Sequence, residues 1–474
     1  MCIQLFIMYG KLKENKLNKL AVTALAVLML ALGNVPGLAQ TPTTTLADNV
    51  PALLVQANQA YSAEDYPLLR STLQRLHQMR PYNSEYMYRL VLAYALLDQK
   101  RLAYDLMLRM QQQGLAYDFT LSDDSKNIRG TEVFDYVNDL MKLAAEPMGE
   151  VETMFTLPAD VVMPETITWD ESRQKFLVGT AAEGQVLAVD MQGEVEELIR
   201  ADNENGMWAV LDILVDGARN RLWVSSAAIP AFRNFSTPDQ GRSALFEFEL
   251  ETLELLRRYP VPVDGRPHVL GNMIMNADGD IFIADRALPI IYSKPAGEQK
   301  LKAVFASQEM VSLRGIALQP DGRIMYIADR EMGITVVDFA QKKAAQLTGP
   351  ETLNLGGIAG MYLWNNNLVI IQNGISPQRV FRLGLDASGT RIEAVRPLAV
   401  AQPEFDFPSF GVLKGEDLVY FASSHFTDET GQNKPVTVLR TGVDSNEDLL
   451  SAEMLLYLEK EKQAEAQKKE EGKE

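Results

Sequence analysis

The chain has 474 residues, 47% of them hydrophobic, with 45 Lys and Arg against 63 Asp and Glu for a formal net charge of −18. That length has room for more than one domain, and the composition is globular. The charge argues against a nucleic-acid partner, since phosphate binding needs a clustered basic face and no basic stripe occurs beyond the first nineteen residues.

Residues 1–39 read as a secretory signal. Lys11, Lys13, Lys16 and Lys19 form a basic region, Leu20 to Leu32 is a run of small and apolar residues, and Gly37-Leu38-Ala39 supplies small residues before Gln40. The run is short for a membrane span. The expectation is an exported protein, periplasmic or extracellular, with no integral span once the signal is removed. The one cysteine, Cys2, lies inside that segment. The mature chain would therefore have no disulfide, thiolate metal site or cysteine nucleophile. Residues 40–50, rich in threonine, read as a flexible lead-in.

From 51 to 145 the apolar spacing is helical. Ala60-Tyr61 and Ala93-Tyr94 lie 33 residues apart, as do Asp65 and Asp98, Leu69 and Leu102, and Leu73 and Leu106, with Pro81 and Gly114 closing the two units. This spacing resembles tetratricopeptide repeats, which interlock helix pairs at a period of about 34. A polar loop, Leu121 to Gly130, leads to a third helical piece, Thr131 to Ala145, placed to cap the stack. Such an arm either offers a groove to a protein or peptide partner or docks on the rest of its own chain.

Residues 151–443 are organised around two near-copies, GNMIMNADGDIFIADR from Gly271 and RGIALQPDGRIMYIADR from Arg314. Each reads as a strand, an Asp-Gly turn, a second strand of large apolar residues and an Ala-Asp-Arg stop. Weaker relatives start at Glu165, Leu211, Ala359 and Phe410. Aligned on Ile167, Ile213, Met273, Ile316, Met361 and Val412, the units step by 46, 60, 43, 45 and 51 residues, near the roughly 40–50 of propeller blades. The predicted fold class is multidomain α + β: an N-terminal α-helical, tetratricopeptide-like segment followed by an all-β six-bladed propeller. A β-sandwich or an open hairpin array is the alternative. The last blade shows three strands, so Val151 to Leu157 is expected to supply its fourth and close the ring. Insertions at Ile229 to Arg242 and Ser424 to Lys434 lengthen blades two and six. Residues 444–474 read as a charged helical tail.

The hairpins with Asp-Gly turns and the opening MPETITWDESRQKFLVG resemble the regucalcin and gluconolactonase family and the related NHL-repeat propellers, over about Pro158 to Val443. The resemblance implies a divalent cation such as calcium at the channel mouth, with Glu165 as a metal ligand, and hydrolysis of lactones or related esters. The positions equivalent to Glu165 are Leu211, Gly271, Arg314, Ala359 and Phe410, poor oxygen ligands, and Arg314 would repel a cation. Asp212 and Asn272 lie one residue later, on the wrong face unless a bulge intervenes. An alternative constellation of Glu165, Asp212, Asn272 and Arg314, with His268 and Arg266 just upstream, suits a small polar or anionic ligand. Each of these side chains also has an ordinary structural use, as a turn cap or ion-pair partner. Asp285 and Asp329 recur with the repeat and are expected to pin turns. Only His77, His268 and His425 exist, which leaves no His-Glu-x-x-His zinc motif and no nucleophile elbow.

Two functions remain open on these residues. One is an exported binding or scaffold protein that recognises a protein or small polar ligand through its arm and propeller face. The other is a metal-dependent lactone or ester hydrolase resembling gluconolactonase.

Overall fold

The computed structural model describes residues 49–425 and 433–445. The secretory segment, nearly all of the lead-in and of the charged tail, and the middle of the Ser424–Lys434 insertion lie outside the described residues.

The helical segment forms α1 (Val50–Ser62), α2 (Tyr66–Met79), α3 (Ser84–Leu96), α4 (Lys100–Gln112) and α5 (Glu132–Leu143). Short polar side chains start three of them: Asp65, Asn83 and Thr131 accept from the N–H of Leu68, Tyr86 and Phe134. Leu69, Leu73, Leu76, Met87, Leu90, Ala103, Met107 and Phe134 fill one core. The segment read as a polar loop is instead two short 3-10 turns, Phe119–Leu121 and Asp123–Ile128. Its polar residues fold it down: Asn138 accepts from the Phe119 N–H at 2.8 Å, and the Ser125 hydroxyl donates to the Phe119 carbonyl at 2.5 Å. Phe119 and Ile128 thereby enter the core.

The rest is six four-stranded antiparallel sheets. β1 (Glu152–Leu157) precedes blade one, which is β2 (Pro164–Asp170), β3 (Lys175–Thr180), β4 (Gln185–Val189) and β5 (Val195–Arg200). Blade two is β6 (Ala209–Asp216), β7 (Arg221–Ala227), β8 (Ser243–Glu249) and β9 (Leu255–Pro260). Blade three is β10 (Leu270–Met275), β11 (Ile281–Asp285), β12 (Ile290–Lys294) and β13 (Lys302–Ala306). Blade four is β14 (Leu313–Leu318), β15 (Ile324–Asp329), β16 (Gly333–Asp338) and β17 (Lys343–Gln346). Blade five is β18 (Ile358–Trp364), β19 (Asn367–Gln372), β20 (Arg379–Leu385) and β21 (Ile392–Val400). Blade six takes β22 (Gly411–Lys414), β23 (Asp417–Phe421) and β24 (Val436–Gly442) from the end of the chain and β1 as its outer strand. The six-bladed expectation and the closure by residues 151–157 both hold.

The repeated turns follow from glycine. Gly279 and Gly322 take φ of +91° and +69°, a region L side chains rarely adopt. Each pair of neighbouring blades shares an apolar core, such as Ile213, Val210 and Leu177 between blades one and two, and Ile316, Ile291 and Met325 between three and four. No blade could bury its faces alone, which is why the ring must close.

The arm packs on blades four and five. The pairs Met148 N–H to Val400 carbonyl (3.0 Å) and Val400 N–H to Met148 carbonyl (2.8 Å) fix the chain as it leaves the arm. Arg80 meets Glu331 at 2.7 Å, and Ile375 joins the helical core. No helix of the described residues is long and apolar enough to cross a membrane.

Candidate ligand site at the propeller mouth

In five blades the pairing of the innermost strand slips near its start, between Pro164 and Thr166, Val210 and Asp212, Leu270 and Met273, Leu313 and Gly315, and Ile358 and Gly360. The slip frees Glu165, Leu211, Gly271 with Asn272, Arg314 and Ala359 from the ladder and shifts the phase of the residues beyond them. Bulges therefore do intervene: Asp212 comes within electrostatic reach of Arg286, the partner of Glu165, and Asn272 lies in the bulge next to Gly271, which adjoins Arg286.

Asp285 and Asp329 sit fully buried at the ends of β11 and β15. Asp285 accepts from the backbone N–H of Val269, Ala287 and Leu288. Asp329 accepts from those of Val311, Ser312, Glu331 and Met332. These are the expected turn pins. They have a second effect that the strand pattern does not reveal: each aims the next residue, Arg286 or Arg330, into the mouth.

Arg286 reaches from blade three across to blade one. Its Nη1 donates to Glu165 Oε2 at 2.7 Å, with side-chain exposures of 8% and 2%. Its Nη2 donates to the Leu211 carbonyl at 3.3 Å, and the guanidinium lies 4.7 Å from the Phe410 ring centre. Gly271 makes this path possible, because a Cβ there would stand 2.2 Å from Arg286 Nε. Arg330 Nη1 donates to Asn373 Oδ1 at 2.8 Å, and its guanidinium lies 5.5 Å from the Phe407 ring. Arg314 is half-buried and makes no hydrogen bond or ion pair among the described residues, its Nε being shielded from solvent. Burial, then repulsion from Arg286 and Arg330, pulls its guanidinium down to about 10.

Asp212 staples three blades. Its carboxylate accepts from the Thr166 hydroxyl at 2.6 Å, the Ile213 N–H at 2.9 Å and the Met273 N–H at 2.6 Å. Burial nonetheless pushes its carboxyl up to about 6 against those bonds and the attraction of Arg286. Tyr362 Oη accepts from the Gly411 N–H at 2.6 Å, and burial, aided by Asp212, holds its hydroxyl well above the usual phenol range.

His268 and Arg266 take no part in this layer. His268 is buried with Nδ1 2.7 Å from Asp285 Oδ2 and Nε2 3.1 Å from Asp264 Oδ1, and Arg266 bonds Asp264 at the surface. Arg286, Arg330, Tyr362 and Asn373 belong to the mouth although sequence reasoning missed them. For the two arginines a signal is present in the repeated Ala-Asp-Arg, where the arginine recurs as faithfully as the aspartate.

A divalent cation does not fit these residues. Glu165 already holds a guanidinium, Arg314 and Arg330 stand nearby, and no group of three or more His, Cys, Asp or Glu among the described residues is arranged to hold a metal.

Fold and mouth together define a six-bladed β-propeller with an arginine-rich polar mouth. No protein-family model matches the chain, and no curated protein matches it. Its structural neighbours include regucalcin- and gluconolactonase-type propellers. One is a calcium-binding regucalcin from Agrobacterium tumefaciens, 14% identical with a TM-score of 0.43, covering 60% of this chain and 90% of that one. Another is a gluconolactonase from Xanthomonas campestris, also 14% and 0.43, covering 62% and 89%. A PQQ-bound aldose sugar dehydrogenase from Streptomyces coelicolor matches at 12% and 0.43, covering 63% and 99%.

Proposed function

We propose that this is an exported binding protein that takes a small polar ligand at the propeller mouth, while the outer face of its tetratricopeptide-like arm serves a protein partner. One observation carries the ligand reading. Glu165 Oε1, Asn272 Oδ1, Arg286 Nε and Arg314 Nε are shielded from solvent and lack hydrogen-bond partners. A buried polar atom left unpaired costs about 1–3 kcal/mol, so four of them, three at bulges of innermost strands and one on Arg286, favour a molecule that brings both donors and acceptors.

The metal-dependent lactonase alternative has less support, because its one candidate ligand, Glu165, is neutralised by Arg286. The discriminating experiment measures metal content and calcium-dependent melting of the wild type and Glu165→Gln, alongside native mass spectrometry with a mixture of small polar metabolites. The binding reading expects no calcium shift and a retained metabolite mass. A stoichiometric ion whose stabilising effect disappears in Glu165→Gln would sink it in favour of the hydrolase.

A further inference from the structure

Resting on the reading of the mouth as a ligand site, we infer that its ligand is a monocarboxylate held between Arg314 and Arg330, with a hydrogen-bond donor of its own directed at Asn272. The argument starts from the carboxylates the protein itself offers. Glu165 is taken by Arg286. Asp212 is taken by Thr166, Ile213 and Met273. Asp285 serves His268 and three backbone N–H groups. Asp329 serves four, and Glu331 pairs with Arg80 of the arm.

Arg314 and Arg330 are thus left without a carboxylate in ion-pair range. Arg330 bonds only the neutral Asn373 amide and faces a phenyl ring, and Arg314 makes no hydrogen bond; Glu165 and Asp329 attract Arg314, and Glu331 attracts Arg330, only from beyond ion-pair distance. Half-buried guanidiniums that repel one another are costly unless an anion lies between them. A planar guanidinium matches a carboxylate through paired N–H···O bonds.

Charge disfavours a dianion. Arg286, Arg314 and Arg330 set against Glu165, Asp212 and Asp329, the last of which also acts on Arg314, leave no net charge. A doubly charged phosphate would add two negative charges beside three carboxylates, a monocarboxylate only one. The unpaired acceptors Asn272 Oδ1 and Glu165 Oε1 call for a neutral donor, a hydroxyl, on the same ligand.

Glycolate is the minimal probe, glycolamide its neutral counterpart and inorganic phosphate the competing anion. Calorimetric titration and melting curves compare all three on the wild type, Arg314→Gln and Arg330→Gln. Glycolate is expected to bind and to raise the melting temperature, with affinity lowered about tenfold or more in each variant. Without anion, Arg314→Gln should melt at or above the wild-type temperature, since a repulsion is removed and no hydrogen bond of Arg314 is lost. Glycolamide or phosphate binding as tightly as glycolate would overturn the monocarboxylate while leaving the small-ligand reading intact. Glycolate binding unchanged in both variants would overturn the assignment of the two arginines. Failure of all three probes together with an empty metabolite screen removes both readings.

Discussion

At the mouth, burial sets the chemistry of single groups before any ligand arrives. Asp212 is the clearest case: its folded pKa of about 6 lies above the ordinary 3.8, so folding favours the neutral form. Below pH 4 the carboxyl is protonated folded or unfolded and costs nothing. Between pH 4 and 6 the unfolded chain releases the proton first, and stability falls as pH rises, by up to about 3 kcal/mol above pH 6. In Asp212→Asn this part of the pH dependence should flatten, as read from denaturant midpoints between pH 4 and 7. An unchanged slope would show that another group sets it. Glu165, Asp212, Asn272 and Arg314 were legible in the sequence as candidates, because alignment of the hairpins put Glu165 and Arg314 at equivalent strand starts and Asp212 and Asn272 one residue later. What made them neighbours was a backbone slip that no side-chain pattern announces. Arg286 was missed because a residue just past a strand end has no periodicity to point its direction.

Among elements, the least expected link is between α4 and blade five. Arg379 in β20 is 1% exposed, with no carboxylate partner among the described residues. Its Nε donates to Gln372 Oε1 at 2.8 Å, and its Nη1 donates to the carbonyls of Gln113 at 3.0 Å and Gly114 at 3.3 Å, just past the end of α4. The guanidinium lies 4.4 Å from the Phe381 ring centre. A cation at a helix C-terminus meets the negative end of the dipole and carbonyls that lack partners. Burial pulls Arg379 down to about 9, within a range where it stays charged at neutral pH. Neighbouring bonds add to the latch: Asn354 Nδ2 donates to Gln113 Oε1 at 3.0 Å, and the Ala116 N–H donates to the Ser376 carbonyl at 2.8 Å. Arg379→Met should cost about 3 kcal/mol and uncouple the arm. Helical ellipticity would then be lost in urea before tryptophan fluorescence, whereas in the wild type the two should coincide. Coincident curves with an unshifted midpoint in the variant would refute the latch. The helices were legible from their spacing. Their docking was not, because it depends on backbone carbonyls, which every sequence has.

For the molecule as a whole, closure is the decisive feature. β1 pairs with β24 from Glu152 opposite Arg440 to Leu157 opposite Val436, and Phe155 and Leu157 enter the core between blades six and one. Arg440 also forms an ion pair with Glu152 across the seam. Replacing Phe155 and Leu157 with Asp leaves the sequence length intact but destroys that packing. The doubly substituted protein should lose cooperative melting and elute as aggregates in size-exclusion chromatography. A monomer melting at the wild-type temperature would show that the ring does not depend on its seam. The formal charge of −18 acts at this scale too, since self-repulsion favours solubility without selecting a fold.

Local rules were enough for the sequence to determine the blade count, the Asp-Gly turns, the helical arm and the strand that closes the ring. Each rests on periodicity, on glycine's freedom at positive φ, or on counting strands that must be paired. The tertiary structure alone decided that Glu165 is paired with Arg286, that Arg314 and Arg330 have no carboxylate within ion-pair distance, and that the arm is fastened by a buried arginine. Those facts join residues as far as 266 positions apart. They depend on bulges and strand-end turns that aim side chains across a channel, and such directions exist only once all six blades are in place.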